Sequence, residues 1–397
     1  MRIKDKFHLS YCTNIHPGED WKQTWENLEV YLPKIKQQVS PSQPFGVGLR
    51  LSNIASLELQ QKNRLQEFKE WLDKNDLYVF TMNGFPYGNF HNERVKDMVH
   101  APDWTTPERL EYTQRLFNQL AFLLPNGITG GISTSPISYK FWHNSDKTSD
   151  KAFITGATNM IAVALQLIDI EEKTGKHLHL DIEPEPDGML ENSDEVLEFY
   201  ERYLIPIGTQ VLIDNLGCTA DKAKELILRH IMICYDVCHF SLAYEEPQYT
   251  LKKFKDAGIE VGKIQVSSAL KILFNKDNNE AIWQSLERFN EPTYLHQVTH
   301  MKGDKVITYR DLPELFAKKG DFTELRAHFH VPIFMEQYES LFSTQDQILK
   351  VLERLKIDPF SDHLEIETYT WDVLPKELKM ELSASIVREI NWLKNKL

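Results

Sequence analysis

The chain has 397 residues, 42% hydrophobic and 26% charged, an ordinary globular composition large enough for one large barrel or two smaller domains. A formal net charge of −13 and a pI near 5.6, with no Lys/Arg stripe interleaved with aromatics, argue against nucleic acid as a partner. The four cysteines, Cys12, Cys218, Cys234 and Cys238, show no CxxC spacing and read as reduced thiols; with no apolar signal core in the first residues and no apolar run longer than 160–170, a cytoplasmic protein is expected.

In chain order, alternating apolar runs predict strands over 7–13, 46–51, 77–83, 128–134, 177–183, 231–236, 263–267 and 363–369. Helical patterns fall over 21–39, 54–75, 106–124, 151–174, 193–203, 220–229, 249–257 and 344–355, with a last helix over 377–393. Eight strands joined by crossover helices predict a (β/α)8 barrel. The rival, an open doubly wound sheet, calls for a GxGxxG turn after the first strand, and none is present. Two stretches exceed a minimal barrel. The aromatic, Gly- and Pro-rich loop from Gly84 to Trp104 follows the third strand. Between Ser267 and His363 lie a helix over 279–289, a hairpin pairing 294–299 with 306–310, and a strand-like run over 326–331. The region 284–335 is expected to insert between strands seven and eight and cap the barrel mouth, within one domain spanning 1–397.

Strand side chains alternate between faces, so Glu183 shares a face with Asp181 and His179, while Leu178, Leu180 and Ile182 share the other. Asp236, Gln265 and Glu367 obey the same parity at the ends of strands six, seven and eight. In a parallel barrel such strand ends carry the active site. Three carboxylates and an amide oxygen suit a divalent metal ion such as Mn²⁺, Mg²⁺ or Co²⁺, and Zn²⁺ if a histidine joins. Structural readings stand beside these: Glu183 as a solvated loop acid, Asp236 as a helix N-cap, Gln265 as a barrel hydrogen-bonding group, Glu367 paired with Lys263 or Arg50. Arg50, at the end of strand two, is a candidate clamp for a substrate carboxylate or phosphate. His296 and His330 complete the candidate substrate contacts. His330, in an H-x-H-V pattern, competes with Gln265 as fourth ligand.

The order Glu183, then Asp236-Val237-Cys238-His239, then a polar residue before Val-Ser, then Glu367, resembles the xylose-isomerase-like barrel superfamily of sugar-phosphate isomerases and ketose 3-epimerases. The runs His179–Gly188, Tyr294–Gln297, His328–Pro332 and Glu365–Trp371 are similar to its metabolite-traffic branch, EboE. The resemblance implies a metal-dependent isomerase or epimerase acting on a sugar, cyclitol or other polyhydroxylated small molecule. It implies that Glu183 and Glu367 ligate the metal and exchange the substrate proton, and that His239 hydrogen-bonds a substrate hydroxyl. The sequence departs from the epimerase pattern where Gln265 replaces a histidine. The EboE branch also implies a membrane-protein partner, which leaves open a non-catalytic carrier that holds a metabolite and passes it on.

Overall fold

Parallel strands alternating with outer helices close on themselves, and the last strand joins the first. The computed structural model describes residues 1–88, 96–275, 279–372, 374 and 381–397. The barrel strands are β1 (Phe7–Tyr11), β2 (Phe45–Arg50), β3 (Leu77–Asn83), β4 (Gly130–Thr134), β5 (Leu178–Ile182), β6 (Ile231–Asp236), β7 (Val261–Val266) and β8 (His363–Ile366). β8 pairs in parallel with both β7 and β1, and the ladder runs on from β7 through β6, β5, β4 and β3 to β2. The remaining edge closes differently. Only Cys12 bridges to Gly48 there, while the amides of Gly48 and Arg50 donate to Ser10 Oγ (2.8 Å) and Thr13 Oγ1 (2.9 Å), and Ser10 Oγ donates to Gly46 O (2.9 Å). Hydroxyls thus satisfy backbone groups that a ladder would otherwise pair.

Residues of one parity, such as Leu178, Leu180, Ile182, Ile264 and Leu364, are buried under the helical shell. One outer helix, Asp146–Thr174, is long and apolar enough by composition to cross a membrane; here Met160, Ala164 and Leu167 are fully buried in the core. The other parity fills the barrel with polar groups. Lys263 Nζ meets Glu365 Oε2 at 2.6 Å and Ser133 Oγ at 3.0 Å, and His179 Nδ1 meets Asp181 Oδ1 at 2.6 Å. Glycine supplies the room: a Cβ on Gly48 would fall 1.8 Å from Glu365 Oε1 and 2.8 Å from Tyr11 O. Gly48→Ala is therefore expected to lower stability by about 1–3 kcal/mol through overpacking. Gly320→Ala, whose Cβ would meet nothing nearer than 3.8 Å, should fall within about 0.5 kcal/mol of wild type. Urea midpoints of the two variants check this.

The insertion is wider than the 284–335 region. It forms a six-stranded antiparallel sheet in the order 305–309, 298–302, 324–327, 270–273, 341–343, 337–338, so it begins directly after β7 and ends before helix Gln345–Ile357. Its hairpin pairs Val298 with Tyr309 and Lys302 with Lys305, turning at Gly303 with φ of 62°. The strand-like run 326–331 is a strand only through Ala327; the chain then leaves the sheet, and His328 to His330 descend toward the barrel, where Val331 N meets Ser268 O at 2.9 Å. The single helix expected over 54–75 is two, Asn53–Leu59 and Arg64–Lys74, because Lys62 adopts φ of 54° between them. Ser193–Phe199 continues through a π-helical turn, Tyr200–Leu204, into Ile205–Leu216, and this local widening lies directly before Pro206, which has no N–H to donate back along the helix. Residues 89–95 of the Gly84–Trp104 loop and 377–380 of the expected last helix lie outside the described residues; that helix runs over Leu382–Lys396.

Candidate metal centre

Four strand ends deliver the centre. Asp236 closes β6, Gln265 lies inside β7, and Glu183 and Glu367 are the first residues past β5 and β8; all four are buried. Glu183, Asp236 and Glu367 each place a carboxylate oxygen within 4.8 Å of the other two. Asp236 caps the short helix Val237–Leu242 as well: Oδ1 accepts from His239 N (2.9 Å) and Ser267 Oγ (2.7 Å), which leaves Oδ2 for the centre. Glu367 is held from one side, since Oε1 accepts from Asn14 Nδ2 (2.7 Å) and Asn83 Nδ2 (2.9 Å).

Gln265 turns its nitrogen, not its oxygen, into the centre. Nε2 donates to Glu183 Oε1 (2.9 Å), Asp236 Oδ2 (3.4 Å) and Glu367 Oε2, while Oε1 accepts from the Cys234 thiol at 3.3 Å. The amide's positive edge stands where three carboxylates call for a cation; acting as a ligand would need a half-turn of the amide. One amide does not neutralise them. Burial, then the charges of Glu367 and Asp236, lifts the Glu183 carboxyl well above its usual range, and burial, then Asp236, lifts Glu367 to about 8. Glu183 Oε2 is buried without a hydrogen-bond partner. An orphaned oxygen among crowded carboxylates fits a divalent cation, and Glu183, Asp236 and Glu367 would hold it.

The other candidates divide. His239 hydrogen-bonds Pro184 O through Nδ1 (2.9 Å) and faces the cleft; His330 donates Nδ1 to Glu367 O (2.9 Å) and comes from the insertion rather than from β7. His296 stands back from the cleft, bridging Glu291 Oε1 (2.7 Å) and His328 O (2.8 Å) while stacking on Phe329. Arg50 is turned away. Its guanidinium donates to Gly18 O (2.9 Å) and Gly88 O, tying together the loops after β1 and β3, and it is not among the residues lining the cleft.

Phe85, Pro86, Lys96 and Val99 after β3 form one wall of that cleft, and Tyr294, Leu295, Gln297 and His328 of the insertion form the other. Lys96 Nζ ties the two together through Asp311 Oδ2 (2.6 Å) and Tyr294 O (2.9 Å). Besides these walls, Asn14, Asn83, Glu185 and Tyr369, also absent from the sequence-based list, line it too. Parity offered a signal for two of them. Glu185 alternates with Glu183 in an extended Glu-Pro-Glu-Pro run, and Asn83 ends β3 as Asp236 ends β6.

The segment after Glu367 is fixed by Glu389 of helix Leu382–Lys396, whose Oε1 accepts from Thr368 Oγ1 (2.7 Å) and Ile333 N (3.1 Å). Burial pushes this carboxyl up to about 7 from an ordinary 4.5. Between those values the folded chain keeps a proton that the unfolded chain has released, so stability falls as pH rises from about 4.5 to 7. Relative to Glu389→Gln, which has no proton to release, wild type should lose roughly 3 kcal/mol across that window, at about 1.36 kcal/mol per pH unit. Denaturant midpoints of both proteins against pH measure it.

No protein family model matches the sequence, and no curated protein is significantly similar to it. Solved structures share the architecture. A xylose isomerase-like TIM barrel protein from Mycobacterium smegmatis, in complex with magnesium, aligns over 100% of this chain and 98% of its own with TM-score 0.50 and 9% identity. A D-tagatose 3-epimerase-like protein aligns over 98% and 96% with TM-score 0.49 and 10% identity, and the IOLI protein with a bound zinc atom over 98% and 97% with 0.45 and 12%. At such identities the likeness is one of fold. The fold is the xylose isomerase-like (β/α)8 barrel.

Proposed function

We propose that this barrel isomerises or epimerises a sugar, cyclitol or related polyhydroxylated metabolite, moving a proton next to a carbonyl. One observation carries the reading: three buried carboxylates from three strand ends converge under a roofed cleft. Glu183, Asp236, Glu367 and either Gln265 or His330 would hold a divalent cation, which when bound would supply Lewis-acid polarisation of a carbonyl. The proton work falls to the two glutamates. Asn14 and Asn83 hold Glu367 Oε1, so Oε2 is the oxygen it turns toward the centre and the substrate. Glu183 is the partner on the other side of the centre. His239, its ring fixed by Pro184 O, presents Nε2 as an acceptor for a substrate hydroxyl. Phe85, Pro86, Tyr294 and Leu295 keep water from the reacting carbon.

The resemblance to the EboE branch supports a finer assignment, a role in metabolite traffic beside a membrane-protein partner. It also supports a second reading, a carrier without chemistry, which one contact favours: Gln265 turns its amide N–H groups to all three carboxylates and its oxygen away from them. The two part on a single experiment. Protein loaded with Mn²⁺ or Co²⁺ is incubated in D₂O with ketoses and cyclitols, and deuterium next to the carbonyl is followed by NMR. Incorporation is expected. Saturable binding of a metabolite with no incorporation in the metal-loaded protein assigns the carrier.

A further inference from the structure

Glu185 lines the cleft and takes no part in the chemistry described above. It is 8% exposed, and two residues of extended chain place it on the same side as Glu183. Among the described residues no N–H or O–H donates to its carboxylate, and the one basic nitrogen within 4.0 Å is His100 Nε2, 3.5 Å from Oε1. That ring does not cancel the charge. His100 packs edge-on against Phe85, and burial, then Arg109, holds it down to about 3, so it stays neutral. A carboxylate more than nine-tenths buried, facing a cleft and lacking a donor, is costly unless a ligand brings one.

The rest of the described lining adds acid without a cation to match it. Glu183 and Glu367 face the same cleft, and Asp236 joins them at the centre. Lys96 is the cationic side chain of that lining, and its ammonium is already on Asp311 Oδ2 (2.6 Å) and Tyr294 O (2.9 Å). The amide nitrogens of Asn14 and Asn83 turn to Glu367 Oε1, and that of Gln297 faces Pro186 O (3.3 Å) and Asp187 Oδ2 (3.4 Å). Asp187, the next acid along the chain, has Lys140 Nζ at 3.6 Å, and deeper in the barrel Lys263 is matched by Glu365. Even a divalent cation leaves the three carboxylates of the centre with an excess of negative charge, and Glu185 adds to it. Such a cleft repels a phosphate or carboxylate and attracts a cation.

We propose that Glu185 sets the specificity of this cleft by binding an ammonium group of the metabolite, which is then an amino sugar or aminocyclitol rather than a sugar phosphate or sugar acid. The inference deepens the reading above and rests on it for the cleft as the substrate site. An ammonium offers three N–H donors, enough for both Glu185 oxygens, and its charge offsets the acid that the metal ion leaves over. A hydroxyl brings one donor and no charge, so a neutral polyol binds the same cleft more weakly.

The test uses the full chain loaded with Mn²⁺ and two matched sets of probes: scyllo-inositol with its monoamine and its monophosphate, and D-glucose with 2-amino-2-deoxy-D-glucose and D-glucose 6-phosphate. Binding is measured by calorimetry at neutral pH. In at least one set the amine should bind about 10- to 100-fold more tightly than its neutral parent, the worth of a hydrogen bond between charged groups, and the phosphate more weakly than either. Glu185→Gln keeps the shape and removes the charge, so it should bring the amine to within about threefold of the parent. An amine that binds no better than its parent in either set, absence of binding included, overturns the proposal in wild type alone, as does a phosphate that binds more tightly than the amine. A preference that survives in Glu185→Gln also overturns it, because the amine would then sit on the metal or on another acid. Deuterium exchange keeps the two readings apart: an amine preference without exchange leaves this site standing and removes the isomerase, and exchange on neutral or phosphorylated probes with no amine preference does the reverse.

Discussion

Lys263→Met is expected to lower the unfolding free energy by about 3–5 kcal/mol, because it leaves Glu365 as an uncompensated charge at the centre of the barrel. Both side chains are fully buried and meet at 2.6 Å. Burial by itself would depress the Lys263 ammonium, but Glu365, with Cys234 and Cys12, outweighs burial and holds it above its ordinary value. The ammonium also reaches Ser133 Oγ (3.0 Å) and Met82 O (3.5 Å), a partner for each of its three N–H donors. Glu365→Leu should cost a similar amount by stranding the lysine. The double variant Lys263→Met/Glu365→Leu should recover most of the loss, since an apolar pair of similar volume is often as stable as a buried ion pair. Guanidinium unfolding of the four proteins gives the coupling energy. Single variants that each cost under about 1 kcal/mol would mean the two charges are not a dry pair.

Glu367→Gln and Glu183→Gln are each expected to slow proton exchange on the substrate by about 10²–10⁴-fold, the usual worth of a positioned acid or base. Glutamine keeps an oxygen near the ion and removes the base. In Glu367→Gln the single oxygen serves either the ion or the Asn14 and Asn83 donors, and the NH2 group takes the other position, so metal retention is expected to suffer more here than in Glu183→Gln. Because both residues are candidate ligands, metal content is measured in each variant and rates are compared only at equal occupancy. Exchange that persists undiminished in both metal-loaded variants rules out the glutamate pair.

Much of this centre follows from strand parity. Glu183, Asp236, Gln265 and Glu367 converge because every second residue of a barrel strand faces inward, and that rule needs no tertiary information. What parity leaves open is which atom of a side chain faces in. Gln265 presents nitrogen rather than oxygen because three carboxylates surround it, a fact about neighbours up to 102 residues away. Arg50 has the right parity and a different role: the carbonyls of Gly18 and Gly88 that take its guanidinium belong to loops, whose paths carry no periodic signal. The insertion's limits were hidden for a related reason. Leu270–Leu273 pairs with Glu324–Ala327 and Leu341–Ser343, and an alternating run does not name its partner. His328 falls within the strand-like run 326–331, and only the descent of the chain after Ala327 brings it to His239.

The closing edge between β1 and β2 carries a dynamic consequence. Elsewhere around the barrel one strand grips the next through backbone ladders, whereas here two hydroxyl rotors, Ser10 Oγ and Thr13 Oγ1, hold the Gly48 and Arg50 amides. A rotor releases an amide by turning one bond, without displacing a strand. The Gly48 and Arg50 amides should therefore exchange with solvent deuterium through small local openings, while those of β5 to β7 wait for global unfolding. Thr13 is followed directly by Asn14, which holds Glu367 Oε1. The slit along which the cylinder is expected to breathe thus ends beside the residue that holds a carboxylate of the candidate metal centre, so local opening should also loosen the grip on Glu367.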